Sequence, residues 1–127
     1  MEQSREQAQR RVLVVDDDRA IRGFVAEVLT DEGYEVKTAG NGREALDVSR
    51  EWQPDLIVLD LMMPEMDGWA FRARQRQVDE LAGVPVVVTS AANNLRRHQR
   101  LLEPCILLAK PFELDDLIGA VESCATP

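Results

Sequence analysis

Short, mostly apolar runs alternate with longer amphipathic stretches along most of this sequence. The runs are three to five residues long, and they fall at positions 12–15, 36–39, 56–59, 84–88 and 106–108. The first, third and fourth runs are apolar at every position, which is typical of strands that are covered on both faces. We interpret the five runs as strands of one sheet.

The stretches between the runs have apolar residues three and four positions apart, which is the spacing of an amphipathic helix. The clearest examples are two groups, Ile21, Phe24, Val25, Val28 and Leu29, and later Leu114, Leu117, Ile118 and Val121. Strands that alternate with helices predict an α/β fold with a parallel sheet and crossover helices. The length accommodates five strands and five helices, with the last helix ending near Ser123.

Residues typical of turns and caps support these boundaries. Gly40, Asn41 and Gly42 separate the second strand from the second helix. Pro85 opens the fourth strand, at a position that needs no backbone donor. Asp18 lies where its side chain can cap the first helix.

The composition is that of one ordinary globular domain. A chain of 127 residues can bury about two thirds of its unfolded surface. The proportions of hydrophobic residues (45%) and charged residues (30%) exclude a disordered class, and two cysteines exclude a disulfide scaffold. We expect a flexible leader over residues 1–10 and a single domain over residues 11–124, with no further domain.

Charge and hydropathy exclude several classes of partner. The net charge is −8, which argues against direct binding to nucleic acids and to anionic membranes. No apolar run approaches the roughly 18 residues that a membrane-spanning helix needs. The first ten residues lack the apolar segment of a secretory signal, so we expect a cytoplasmic protein.

Residues that can carry chemistry follow the apolar runs. Asp16 and Asp17 come directly after the first run, and Asp60 follows the third. Ser90 lies just beyond the fourth run, and Lys110 lies just beyond the fifth. Ligands of open α/β sheets bind at the carboxyl ends of the strands, so we expect these side chains to share one crevice.

This set of groups suits magnesium-assisted phosphoryl transfer. Carboxylate oxygens are ligands that Mg²⁺ accepts while it keeps several waters, and a lysine ammonium pairs with phosphate or carboxylate. Ser90 supplies a hydroxyl, and Thr89 is the alternative candidate for that role. A carboxylate can itself be the nucleophile, as in enzymes that form an aspartyl phosphate. We therefore predict transfer onto an aspartate, with positioning and charge neutralisation carrying most of the catalysis.

Four segments, taken in order, resemble the receiver domain of two-component response regulators. They are Val12-Leu13-Val14-Val15-Asp16-Asp17-Asp18, Leu59-Asp60-Leu61-Met62-Met63-Pro64-Glu65-Met66-Asp67-Gly68, Pro85-Val86-Val87-Val88-Thr89-Ser90-Ala91 and Lys110-Pro111-Phe112. The resemblance extends from about Arg11 to Cys124. It implies a flavodoxin-like, doubly wound sheet of five parallel strands in the order 2-1-3-4-5, with five helices.

The resemblance also implies roles for the residues at the strand ends. Asp60 is then the phosphoacceptor, and its donor is a histidine of a sensor kinase or of a histidine phosphotransfer protein. Lys110 pairs first with Asp60 and then with the phosphoryl group, to which Ser90 also bonds. Such a domain catalyses only its own phosphorylation and dephosphorylation, so we do not expect an enzyme in the usual sense.

The magnesium site that the resemblance implies combines side chains with one backbone group. Asp17 and Asp60 bind the ion directly, together with the backbone carbonyl of Met62. Asp16 acts partly through water. The same resemblance implies a cis peptide bond between Lys110 and Pro111.

One region departs from the pattern of the family. The Gly-Ala pair that usually precedes the fifth strand is missing, and Leu107 holds the position of the usual aromatic residue. In the family, the hydroxyl residue at the position of Ser90 and this aromatic residue move on phosphorylation. We therefore expect an altered switch at Leu107 and a shortened or irregular fourth helix within residues 93–102.

Two further positions bear on the lifetime of the phosphorylated state. Met62 lies two residues after Asp60, and Ala92 lies two residues after Ser90. In the family, residues at these positions influence how water reaches the aspartyl phosphate. Neither side chain here can orient a water by hydrogen bonding, so we expect slow self-dephosphorylation.

The sequence thus favours a receiver domain that signals through protein contacts, as a monomer or a weak dimer. Its downstream partner is a protein of unknown identity. An alternative is a receiver-like binding module that does not depend on phosphorylation and uses the altered region over residues 93–107. A magnesium-dependent phosphohydrolase is disfavoured, because Met62 lies where such an enzyme would need a general acid or base.

Overall fold

A computed structural model describes residues 10–61, 68–91 and 105–125 of the chain. They contain one five-stranded parallel sheet in the order β2-β1-β3-β4-β5. The strands are β1 (Arg11–Val15), β2 (Glu35–Ala39), β3 (Leu56–Asp60), β4 (Val86–Ala91) and β5 (Cys105–Lys110). The predicted fold class and strand order are therefore confirmed.

Helices follow four of the five strands as predicted. They are α1 (Arg19–Asp31), α2 (Gly42–Trp52), α3 (Gly68–Gln77), the four-residue α4 (Asp79–Ala82) and α5 (Leu114–Ala125). The sequence did not predict α4, because four residues are too few to establish a helical period. The helix expected between β4 and β5, the leader over residues 1–9 and Met62 lie outside the described residues.

The sheet separates two apolar clusters. On the side of α2 and α3, the cluster includes Leu13, Leu59 and Phe71. On the side of α1 and α5, it includes Val14 and Leu117. Alternate residues of β1 and β3 point into opposite clusters, which explains why these strands are apolar at every position.

Side-chain caps begin two of the helices, and the sequence predicted the one at Asp18. The Asp18 carboxylate accepts hydrogen bonds from the backbone N–H groups of Ala20 and Ile21 at 2.9 and 3.0 Å. The Asn41 side chain accepts one from the N–H of Glu44 at 2.8 Å. Both caps satisfy donors that the first turn of a helix otherwise leaves unpaired, and they fix the points at which the chain leaves β1 and β2.

The connection between α3 and β4 is held by a buried amide. Gln75 is fully buried, and its Nε2 donates to the backbone carbonyls of Leu81 at 2.8 Å and Val84 at 3.1 Å. Its Oε1 accepts a hydrogen bond from Nη1 of Arg72 at 2.8 Å, also within the protein interior. A polar side chain thus organises the interior of this part of the fold.

Four boundaries lie two or three residues from those expected, among them the end of β5 at Lys110 rather than at Leu108. β4 begins at Val86 rather than at Val84, and the carbonyl of Pro85 accepts the hydrogen bond from Ile57 just before it. The strand continues to Ala91, and α5 ends at Ala125 rather than near Ser123. Within the described ranges, no helix combines the length and the apolar character needed to cross a bilayer.

Candidate functional site

The parallel register brings three carboxylates together at the carboxyl edge of the sheet. Asp16 follows β1 and Asp60 ends β3, and each is only 4% exposed. Asp17 is exposed beside them. One carboxylate oxygen from each residue lies within 4.8 Å of the other two. The residues predicted from two separate strand ends therefore form one cluster.

Lys110 reaches this cluster from the end of β5. Its Nζ lies 3.1 Å from Oδ2 of Asp16 and 3.5 Å from Oδ1 of Asp60, so the ammonium lies between the two buried carboxylates. Burial lowers the pKa of Lys110, but the charges of Asp60 and Asp16 together outweigh burial and raise that pKa above its ordinary value. The lysine therefore carries its positive charge at neutral pH. The bond that follows it, Lys110–Pro111, is cis as the resemblance implied.

Hydrogen bonds hold Asp16 on every side. Its Oδ1 accepts from the N–H of Asp18 at 2.8 Å, and its Oδ2 accepts from Lys110. Its backbone N–H donates to the carbonyl of Ala39 at 3.2 Å. Its own carbonyl accepts from Nη1 of Arg22 at 2.9 Å. The sequence did not single out Arg22, because nothing in the pattern distinguishes it from Arg19 in the same turn.

Ser90 and Thr89 are both buried at the end of β4, with exposures of 1% and 2%. Thr89 pairs with Asp60 in the sheet register, and its carbonyl accepts from the N–H of Leu61. The Ser90 hydroxyl has no hydrogen-bond partner among the residues that the structure describes. A buried hydroxyl normally has a partner, so Ser90 retains the capacity to bond a group that enters the site.

The donor set fits a small, hard divalent cation. All the ligand atoms that the cluster offers are carboxylate oxygens, which is the chemistry that Mg²⁺ prefers. The buried Ser90 hydroxyl and the Lys110 ammonium add groups suited to an anion on the same edge. The further ligand expected from the backbone of Met62 lies outside the described residues.

Leu107 lies three residues before Lys110 on β5. It is partly buried and packs against the apolar cluster on the side of α2 and α3. In the sheet register it pairs with Val88, two residues before Ser90. A leucine has neither a ring nor a hydroxyl group at this position, so it contributes apolar packing alone.

An apolar cavity of about 350 Å³ lies beside the carboxylate cluster. It is lined by Ile21 and Phe24 of α1 and by Lys110, Pro111 and Phe112 at the end of β5. Phe24 is 48% exposed, so part of its ring is accessible at the surface of the cavity. Lys110 lines both this cavity and the acidic site, so the two features are neighbours.

Comparisons with known proteins agree with this geometry. Residues 12–122 match the response regulator receiver domain family. Sporulation initiation phosphotransferase F of Bacillus subtilis is 34% identical over 112 residues, which cover 88% of this chain and 90% of that protein. The transcriptional regulatory protein PdtaR of Mycobacterium tuberculosis is 37% identical over 114 residues, or 89% of this chain. The matched part is 55% of PdtaR, so the chain spans about half the length of that relative.

The fold is also similar to solved structures. The chemotaxis response regulator CheY4 of Vibrio cholerae superimposes with a TM-score of 0.85 at 31% sequence identity, covering 91% of this chain and 98% of that one. The family match spans nearly every element of the sheet, and the similar proteins carry the same fold. This chain therefore belongs to the receiver domain family of two-component response regulators.

Proposed function

We propose that this chain accepts a phosphoryl group on Asp60 from a phosphohistidine donor, in a reaction that depends on Mg²⁺. The modified protein then signals through changed contacts with other proteins. One observation carries the proposal, namely that the Lys110 ammonium lies between buried Asp16 and Asp60 within a cluster of three carboxylates.

The chemical step is a displacement at phosphorus. A carboxylate oxygen of Asp60 forms a bond to phosphorus while the bond from phosphorus to the imidazole nitrogen of the donor breaks. The electron pair of that bond returns to the imidazole, which then takes up a proton. Asp60 ends as an acyl phosphate, and the donor ends as a neutral histidine.

The surrounding residues position and neutralise the groups that react. Lys110 pairs with Asp60 before transfer, and in the proposed reaction it moves its charge to a phosphoryl oxygen. Ser90 donates its hydroxyl hydrogen to another phosphoryl oxygen, a role that its burial and its unused bonding capacity support. Together these contacts provide fixed positive charge and donors where negative charge gathers.

Magnesium would be held by Asp17, Asp60 and the backbone carbonyl of Met62, with Asp16 contributing partly through water. When bound, the ion would neutralise part of the negative charge that the carboxylates and the phosphoryl group share. The mutual distances of the three carboxylates support this assignment. Each carboxylate oxygen of Asp16 accepts one hydrogen bond, from Asp18 or from Lys110, and keeps a lone pair that a water of the ion could use.

The donor that we propose is a histidine kinase or a histidine phosphotransfer protein. Family membership supports this assignment, and the B. subtilis relative is itself named a phosphotransferase. The cavity that contains Phe24 supplies an exposed apolar surface beside Lys110 on which such a protein could dock. Docking there would bring a histidine ring towards the acidic edge of the sheet.

The direct test is the intact mass of the protein after incubation with Mg²⁺ and a small phosphodonor. We expect a single phosphoryl adduct that is lost in Asp60→Ala and in the presence of EDTA. Asp47→Asn is the matched control, because it removes an exposed carboxylate of α2 and should leave the adduct intact. An adduct that persists in Asp60→Ala would place the reaction on another residue.

The packing of Leu107 favours a second candidate, a binding module that phosphorylation does not control. An apolar side chain there lies in the core on one side of the sheet instead of carrying a ring that could report the state of the site. This candidate would be favoured if the protein gave no phosphoryl adduct with any phosphodonor tested. Equal affinity of a protein partner for the phosphorylated and unmodified chains would favour it as well.

A further inference from the structure

We propose that Arg22 is a positioning residue for the metal site, acting through the peptide that joins Asp16 to Asp17. The inference rests on the proposed function, because it requires that the carboxylates bind Mg²⁺. Arg22 is partly buried on α1, and its Nη1 donates to the carbonyl oxygen of Asp16 at 2.9 Å. That oxygen belongs to the peptide bond that joins Asp16 to Asp17. The guanidinium therefore restrains the peptide plane that precedes Asp17, and through it the backbone that carries the exposed Asp17 side chain.

The space that Arg22 occupies is set by a second loop. A Cβ atom added to Gly40 would lie 3.1 Å from Nη1 of Arg22 and 3.6 Å from Oε1 of Glu44. The same Glu44 oxygen accepts a hydrogen bond from the N–H of Gly40 at 2.6 Å. Arg22 thus lies between the loop after β1 and the turn after β2, and glycine at position 40 permits this close approach.

Positioning and simple electrostatics predict opposite changes in magnesium affinity. Arg22 carries a positive charge near a site for a cation, so removal of the charge alone should strengthen binding of Mg²⁺. Removal of a residue that orients the ligands weakens binding instead, by about 10-fold to 100-fold in known metal sites. The sign of the change therefore separates the two roles.

The experiment is a calorimetric titration of the full chain with MgCl₂, comparing the wild type with Arg22→Met. We expect Arg22→Met to bind Mg²⁺ roughly 10-fold more weakly. The matched control is Arg19→Met, which removes the same charge from an exposed position in the same turn of α1. That control should bind Mg²⁺ as tightly as the wild type or slightly more tightly.

A kinetic measurement excludes a merely structural effect. With a small phosphodonor, Arg22→Met should need roughly 10-fold more Mg²⁺ for half-maximal phosphorylation. Its rate at saturating Mg²⁺ should stay within about twofold of wild type, because the reacting groups Asp60 and Lys110 are intact. A general loss of stability would instead appear as a lower melting temperature in EDTA, with no change in the magnesium concentration required.

Gly40→Ala provides an independent variant that keeps Arg22. The added methyl group would lie at ordinary van der Waals distance from Glu44 Oε1, at 3.6 Å, but only 3.1 Å from Nη1 of Arg22, so the guanidinium is the neighbour that must shift. We expect magnesium binding to weaken by a few-fold in the wild-type background and to stay unchanged in the Arg22→Met background, as for two residues that act through one contact. Equal weakening in both backgrounds would overturn the proposal.

The outcomes separate this inference from the proposed function. If the wild type binds Mg²⁺ and Arg22→Met binds it equally well or more tightly, the positioning role is wrong while the proposed function stands. If the wild type binds Mg²⁺ no better than Asp60→Asn, the magnesium dependence fails and the role of Arg22 fails with it. Weaker binding in Arg22→Met but not in Arg19→Met supports the proposal.

Discussion

At the scale of single residues, strand-end position predicted the acidic site, whereas the bonds around it could not be predicted. Asp16, Asp17, Asp60 and Lys110 could be assigned because parallel strands end at one edge. Three of the four hydrogen bonds of Asp16 depend on where α1, β2 and β5 lie, which the spacing of apolar residues does not specify. Arg22 is the clearest example. Its contact is with a backbone carbonyl, a group that every residue has, so the residue types in the sequence do not indicate it.

The titration of Tyr34 offers a test of the local environment between α1 and β2. Burial raises the pKa of this phenol, and the carboxylates of Glu122 and Glu32 raise it further, while Arg10 acts in the opposite direction. Tyr34 is the single tyrosine of the chain, so phenolate absorbance reports it alone. We expect a midpoint above the ordinary value of about 10. A midpoint at or below that value would contradict the structure around Tyr34.

The same shift has a consequence for stability at alkaline pH. The folded protein holds the Tyr34 proton to a higher pH than the unfolded chain does. The free energy of unfolding should therefore fall as the pH rises from the ordinary tyrosine pKa through the pKa of the folded state. Glu122→Gln should lower the midpoint of the absorbance titration and leave it above the ordinary value, because burial remains.

At the scale of elements, α1 has four separate functions in the fold and the site. Its N-terminal cap Asp18 begins the helix, its first turn carries Arg22 towards Asp16, and its exposed Phe24 lines the apolar cavity. Its buried residues Val25 and Leu29 pack against the sheet. Substitutions along this one helix should therefore have distinct effects.

Loss of the Asp18 cap should lower the stability of the fold more than it lowers the rate of phosphorylation. Asp18→Ala removes the acceptor for the N–H groups of Ala20 and Ile21, and we expect the free energy of unfolding to fall by about 1 kcal/mol. Asp18→Ser should retain most of it, since a serine oxygen caps well. Urea unfolding followed by circular dichroism measures this change, with Asp47→Ala as the surface control. No loss in Asp18→Ala would show that the cap contributes nothing.

Phe24 should affect the rate of phosphorylation by a protein donor but not the rate with a small phosphodonor. With a phosphotransfer protein that phosphorylates the wild type, we expect Phe24→Ala to slow transfer by roughly tenfold, the effect of about 1.4 kcal/mol of docking energy. Phosphorylation by a small phosphodonor should stay unchanged. Leu114→Ala is the matched control, because Leu114 is 44% exposed but does not line the cavity. Equal slowing in both variants would remove the cavity as the docking surface.

The sequence predicted the bounds of β1 and β3 well, and it was least accurate where polar residues continued a strand. β1 and β3 lie within one residue of the expected bounds. β4 extends through Thr89 and Ser90 to Ala91 because β5 pairs with it over this length, from Cys105 to Lys110. The polar side chains of Thr89 and Ser90 indicated the end of the apolar run, but the backbone of both residues continues the pairing of β4 with β5. Pairing between strands, rather than local hydropathy, sets that boundary.

At the scale of the whole molecule, negative charge is concentrated where the proposed ion would bind. The net charge is −8, and three carboxylates meet at one edge of the sheet. Their mutual repulsion opposes folding, and Lys110 offsets only part of it. A divalent cation at this edge should therefore stabilise the folded chain as a whole.

Thermal unfolding tests this coupling between the site and global stability. At a Mg²⁺ concentration 100 times its dissociation constant, we expect the free energy of unfolding to rise by about 2.7 kcal/mol. Sodium chloride at matched ionic strength should give a smaller change, because it screens charge without occupying the site. Asp17→Asn should reduce the difference between the two salts. An equal response to both salts in the wild type would argue against a specific site.

The buried amide of Gln75 also constrains how the sequence can change over time. Connections between elements usually tolerate insertions and deletions. Here one side chain reaches the carbonyls of both Leu81 and Val84, so the spacing between them is fixed by the reach of an amide group. A residue gained or lost in this connection would leave a buried donor unpaired, at a cost of about 1–3 kcal/mol. Among descendants of this chain, length should vary elsewhere before it varies between α3 and β4.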